Sequence, residues 1–127
     1  MNNLNLLEVY QFDKKCRCGV NTDGGYVFAE LDGEYDCYIS AGVSNEESFS
    51  RDFIKKYNID KNNSYGFDGT INDYPYQYTE NIQFIKKNIN HYNDDTNTNL
   101  SFLTDKYNRA SIFILHDAIC LYSLCTC

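Results

Sequence analysis

Two places in this sequence pair residue types that could hold a polar ligand. The first is Ser40-Ala41-Gly42-Val43-Ser44, a small-residue turn directly after an apolar run. If a helix follows such a turn, its free backbone N–H groups point at the carboxyl end of the preceding strand. The second is Asp68, followed by Gly69-Thr70-Ile71. A carboxylate can accept hydrogen bonds from both hydroxyls of a ribose diol, which an amide or hydroxyl does less well. The distance from Ser40 to Asp68 is the length of one β-α-β unit. A carboxylate at the tip of the second strand, beside a glycine turn after the first, is the arrangement that holds a ribose. The alternative is that Asp68 only forms the turn before Gly69.

The elements needed to position these residues are legible. Tyr35 to Ser40 is a short apolar run with the length and content of a buried strand. Ser44-Asn45-Glu46-Glu47 has the S-x-x-E spacing of a capping box, with Ser44 as N-cap and Glu47 at the third helical position. Phe49, Phe53 and Tyr57 recur every four residues with Ile54 beside them. They form one apolar helix face and leave Arg51, Asp52, Lys55 and Lys56 mostly toward solvent. Asn58 to Asn63 closes the helix, and Tyr65-Gly66-Phe67 reads as the second strand.

Upstream, Asn21, Asp23, Gly24 and Gly25 make a tight turn before a short strand from Tyr26 to Ala29. This is either a β-hairpin with glycines at positive φ or a backbone loop approaching a ligand. Leu4, Leu6, Leu7 and Tyr10 suggest a short helix over a sheet edge. Asn72 to Thr79 is an aromatic loop, either a flap over a pocket or a simple cover. Ile82 to Ile89 fits a strand or a helix face equally. His91 to Asn97 reads as a solvated polar loop. Asn99 to Tyr107 is expected to be a helix capped by Thr98 or Asn97. Ile112 to Leu115 is a buried strand running into His116-Asp117.

The totals bound the class. The chain has 127 residues and a formal charge of −7, which suits one domain with one modest core. With no basic tract, a nucleic-acid backbone is not an expected partner. The N-terminal MNNLNLLEV does not read as a secretory signal, and no stretch approaches the ~20 apolar residues that cross a bilayer. The expectation is a soluble cytoplasmic protein with no membrane partner. The six cysteines are expected to be thiols. Cys16-x-Cys18 and Cys125-x-Cys127 lack the usual two-residue zinc spacing, so no metal is expected.

Three segments together resemble the FkbM-like methyltransferase superfamily, and most closely its members in protists and large DNA viruses. They are Asn21-x-Asp23-Gly24-Gly25-Tyr26-Val27, Tyr38-x-Ser40-Ala41-Gly42-Val43-x-x-Glu46-x-Ser48-Phe49-x-x-Asp52, and Phe67-Asp68-Gly69-Thr70-Ile71. The resemblance covers about residues 16–117. It implies an α/β fold, an incomplete Rossmann-like and mostly parallel sheet flanked by helices. It also implies S-adenosyl-L-methionine (SAM) as cofactor and methyl transfer, often to oxygen. Ser40, Gly42, Ser44 and Glu46 would then line the methionine and ribose region. Asp68 would hold the ribose hydroxyls, and Asp23, Gly24 and Gly25 would lie near the pocket mouth. Family members follow the third segment with a strand, which tips Ile82 to Lys87 toward strand.

The ending departs from the family pattern. Family members run from the last strand into Lys-Met-Asp-Ile-Glu-Gly, whereas here only Asp117 matches. Asp117 is therefore the one inherited candidate for a catalytic base toward an unknown small-molecule or glycan acceptor. Residues 118–127 form an atypical apolar tail. The expectation is one truncated methyltransferase-like domain spanning 1–127. The alternative is a non-catalytic remnant or interaction domain that self-associates through an uncovered sheet edge. A nicotinamide dehydrogenase is weaker, because Gly42 stands alone without a G-x-G-x-x-G fingerprint.

Overall fold

A computed structural model describes residues 12–30, 32–75, 80–107, 112–116 and 122–124, the last two stretches through their backbone. The Leu4 to Tyr10 helix and Asp117 lie outside the described residues.

The central strand is β3 (Cys37–Ala41), after the hairpin strands β1 (Lys15–Cys18) and β2 (Tyr26–Ala29). All five residues of β3 are buried, as a strand covered on both faces requires. Its side chains alternate between two cores. Tyr38 joins Val43, Phe49, Phe53 and Ile54 on one side. Cys37 and Ile39 join Tyr65, Phe67 and Leu103 on the other. Helix α1 (Ser48–Lys56) covers the first face. Helix α2 (Ser101–Lys106) reaches the second through Leu103.

The main sheet has the order β5-β4-β3-β8-β9, with β4 at Ser64–Phe67, β5 at Gln83–Ile85, β8 at Ile112–His116 and β9 at Tyr122–Leu124. The first four strands are parallel, and β9 is antiparallel to β8. From β3 the chain steps outward to β4 and β5. It then crosses back to set β8 on the free side of β3. Strand order therefore reverses between β3 and β8, and open sheets of this kind bind ligands at the carboxyl ends of their strands beside such a reversal. A separate two-residue parallel ladder joins β6 (Asn88–Ile89) to β7 (Asn97–Thr98).

Aromatic packing holds α1 to the sheet and to the hairpin. Phe53 lies 5.3 Å from Tyr38, 5.3 Å from Phe28 and 5.2 Å from Tyr35 between ring centroids. A buried phenylalanine contributes about 1.5–3 kcal/mol, so Phe49 and Phe53 anchor the helix. The hairpin is fastened to the same helix by polar contacts. The Gly19 amide donates to Asp52 Oδ2 at 3.0 Å, and the Val20 amide donates to Ser48 Oγ at 2.9 Å. Asp52 is thus a hairpin anchor rather than a solvent-facing residue.

Two helix starts differ from expectation. Helix α1 begins at Ser48, not beside Ser44, and Glu47 occupies the cap position without a side-chain capping bond. Ser44 instead has φ 50°, and its amide is turned toward Asp68, so no capping box forms. Glu46 takes over, accepting from the Ser48 amide at 2.7 Å. At α2 the cap residue is Leu100, in the left-handed region at φ 63°. The Asn99 side chain, not that of Asn97 or Thr98, accepts from the Ser101 amide at 3.0 Å. Among the described residues, no helix is long and apolar enough to cross a membrane.

Candidate functional site

Chain direction brings the tips of β3 and β4 together. Gly42 leaves β3 at φ 78°, a conformation that costs other residues about 1–2 kcal/mol. Its amide continues the ladder to the Phe67 carbonyl at 3.0 Å. The Ser44 amide then donates to Asp68 Oδ2 at 3.0 Å. On the other oxygen, Asp68 Oδ1 accepts from the Thr70 amide at 2.7 Å and from the Thr70 hydroxyl at 2.6 Å. Asp68 is buried. Burial opposes its charge, but the Thr70, Ser44 and Val43 hydrogen bonds outweigh burial and hold its carboxyl below the usual carboxylate range. Asp68 thus stands beside the glycine turn and braces it. Most of its acceptor positions are filled by its own chain.

A small, open cleft lies at the carboxyl end of β3 on the α1 side. The hairpin contributes Gly24 and Tyr26 to its wall, and β3 with its turn contributes Ser40, Ala41 and Gly42. The start of α1 contributes Glu46, Glu47, Phe49 and Ser50. Of the residues picked out in the sequence, Gly24, Ser40, Gly42 and Glu46 therefore share one cavity. Ser44 and Asp68 pair with each other at the neighbouring tip. Asp23 is exposed and is not part of the lining. Gly25 packs beneath Arg17, where an added Cβ would lie 1.9 Å from the Val20 carbonyl oxygen.

Gly24 answers both readings of its turn. It sits in a β-hairpin at φ 97°, and its backbone presses on the cleft acid: an added Cβ would lie 2.2 Å from Glu46 Cγ. The Ser48 hydroxyl reaches back to the Gly24 carbonyl at 3.5 Å.

Glu47 is the cleft residue that sequence reasoning missed. It is 4% exposed, yet it faces the cavity. Glu47 Oε1 accepts from Ser40 Oγ at 2.9 Å, and Oε2 accepts from the Tyr74 hydroxyl at 2.9 Å and from Ser50 Oγ. Ser50 has one proton and gives it to Glu47. The Tyr38 hydroxyl, 2.7 Å from Ser50 Oγ, is therefore the donor in that pair. Burial, then the nearby Glu47 charge, push the Tyr38 phenol well above its ordinary range. Tyr74 fits because β4 carries Gly66 opposite it, where a Cβ would lie 3.1 Å from the Tyr74 ring. The sequence signal was present in Ser40, Glu47 and Ser50, but only the chain reversal after β3 brings them together.

Elsewhere, Asp94 is occupied by the Thr96 and Asn97 amides and the Asn97 side chain, as in a capped polar turn. Among the described residues no group of three or more His, Cys, Asp or Glu could hold a metal ion. Comparison of the chain with protein-family models, with curated proteins and with solved structures finds no match.

Proposed function

We propose that the chain is a SAM-binding, methyltransferase-like domain of the FkbM-like type, with its cofactor cleft at the carboxyl ends of β3 and β4. The observation that carries this reading is the hydrogen bond between the glycine turn after β3 and Asp68 after β4, beside a cavity. The strand order from β5 through β8 is the 3-2-1-4 order of a Rossmann-like sheet, and ligands of such sheets bind where the order reverses.

The residues present fit the methionyl half of the cofactor. Gly42 presents bare backbone at the strand tip and Glu46 a carboxylate, beside Ser40, Ser50 and Glu47, which hydrogen-bond to one another. Fit at the ribose half is narrower, because Asp68 already serves Ser44 and Thr70. When bound, SAM supplies a methyl group on a positively charged sulfur. The protein's part is to orient cofactor and acceptor and to exclude water. Ser40, Gly42 and the Glu46–Glu47 pair hold the cofactor in this reading, and Asp117, directly after β8, takes the acceptor's proton.

The occupied carboxylate of Asp68 favours a second reading, in which the architecture persists as a non-catalytic binding module. Calorimetric titration of the full chain with SAM separates the two. Saturable binding at up to millimolar ligand supports the first reading, and absence of binding leaves the second.

A further inference from the structure

We infer that the Asp32–Gly33 bond, in the connection from β2 to β3, is a site of self-modification, at which the Gly33 nitrogen attacks the Asp32 carboxyl and the resulting succinimide opens to isoaspartate. The inference is independent of the cofactor reading above.

The sequence holds three Asp-Gly bonds, at Asp23, Asp32 and Asp68. Glycine has no Cβ to shield its own nitrogen, so all three carry the reactive pair. The fold decides which pair can use it. Ring closure needs the carboxyl carbon to swing onto the next backbone nitrogen. That requires a free side chain and a free backbone together.

Two of the three bonds are locked. Asp68 gives one oxygen to the Ser44 amide and the other to the Thr70 amide and hydroxyl. Its neighbour's nitrogen is also engaged, because the Gly69 amide donates to Asn88 Oδ1 at 3.2 Å. At Asp23 the constraint is on the backbone. Gly24 lies against the Glu46 side chain, and its carbonyl receives the Ser48 hydroxyl at 3.5 Å. The Gly25 amide closes the same turn on the Thr22 carbonyl at 3.4 Å.

Asp32–Gly33 has neither restraint. The Asp32 side chain is 92% exposed and pairs with Lys14 at 3.0 Å. An exposed pair of this kind restrains a side chain little. The other charged residues nearby do not hold it: Glu30 is taken by Lys56 at 2.8 Å, and Glu34 is exposed on the same loop. Gly33 sits at φ 140°, and an added Cβ there would meet nothing within 4 Å among the described residues. Among those residues its amide makes no hydrogen bond.

The chemistry needs no partner. The Gly33 N–Cγ bond forms, the Asp32 C–OH bond breaks, and the amide proton leaves with the hydroxyl as one water. Water then opens either carbonyl of the ring. One opening restores aspartate. The other routes the backbone through the side-chain carbon, lengthening the connection into β3 by one carbon and keeping one carboxylate. The neutral carboxyl is the electrophile, so the reaction slows as pH rises above the ordinary carboxylate range, about 4.

The test is incubation of the full chain, native and in urea, at about pH 5 and about pH 8. Peptide mapping follows, with a protease that cleaves before aspartate and passes over isoaspartate. In the native chain isoaspartate is expected at residue 32 about tenfold faster than at 68, which must first release Ser44 and Thr70. It is also expected to form faster at 32 than at 23, and faster at the lower pH. In urea the three sites are expected to react alike. Asp32→Glu keeps the charge but would need a larger ring, and is expected to lose the signal at 32. Equal rates at the three sites in the native chain overturn the inference. So does a native chain unmodified at 32 when the urea sample reacts there, or a rate at 32 that rises with pH.

Discussion

The backbone amide of Ser44 and the carboxylate of Asp68 meet at 3.0 Å, joining the turn after β3 to the tip of β4. This contact explains why Ser44 sits at φ 50° instead of capping α1. Asp68→Asn replaces one acceptor oxygen by an NH₂ that must face either the Ser44 or the Thr70 amide. One part-buried donor then loses its direct partner, at a cost of about 1 kcal/mol. Urea denaturation of the variant is expected to show that loss in its midpoint with an unchanged slope.

The same contact makes stability depend on acid. Asp68 and Asp52 both have folded-state pKa values below the ordinary one. In each, burial opposes the charge. Thr70, Ser44 and Val43 overcome it at Asp68, and Arg51 and the Gly19 amide overcome it at Asp52. Their stabilisation is complete above the unfolded-state pKa, about 3.9, and is lost as pH falls through the folded-state values. The urea midpoint is expected to be insensitive to these groups above about pH 5 and to fall below about pH 4. In Asp68→Asn the acid limb is expected to be shallower.

Two tyrosines, Tyr74 and the half-buried Tyr57, should respond in opposite directions to loss of their hydroxyls. Tyr74 donates to Glu47 at 2.9 Å, and Tyr74→Phe is expected to destabilise by about 1 kcal/mol. Tyr57 has a buried hydroxyl with no hydrogen-bond partner among the described residues. Tyr57→Phe removes that uncompensated group and is expected to be neutral or stabilising by up to about 1 kcal/mol. Thermal unfolding of the two variants beside wild type checks the pair.

How much of this was legible depended on whether a feature was local. The Phe49-Phe53-Tyr57 spacing announced the buried face of α1, and the apolar runs announced β3, β4 and β8. The pairing of the Gly42 turn with Asp68 followed from β-α-β length. Ile82 to Ile89 fitted two periods, and β5 won because Gln83 to Ile85 continue the sheet beyond β4. The capping box failed because tertiary contact with Asp68 redirected Ser44. Glu47 was hidden because its partners come from residues 40, 50 and 74, a set that no sequence window contains. The β6–β7 ladder was missed because two-residue strands in an asparagine-rich loop have no periodicity to read.

The thiols offer a check on the two cores. Burial is the main cause that pushes Cys18 and Cys37 each up to about 12. At pH 8 both are almost wholly protonated, and an alkylating agent needs the thiolate. Mass mapping after brief alkylation of the native chain is expected to find Cys18 and Cys37 unmodified. In urea, where the thiols return toward about 8.5, both are expected to react.

The central claim is that ligand sits at the carboxyl end of β3, against the turn that Asp68 braces. Titration of the isotopically labelled full chain with SAM, followed by amide nuclear magnetic resonance, tests it most directly. The account predicts saturable shifts concentrated at Gly24, Gly42, Ser44 and Glu47, with little change at Lys106 across the molecule. Saturable shifts that leave Gly42 and Ser44 unmoved, or no shifts at millimolar ligand, would contradict it.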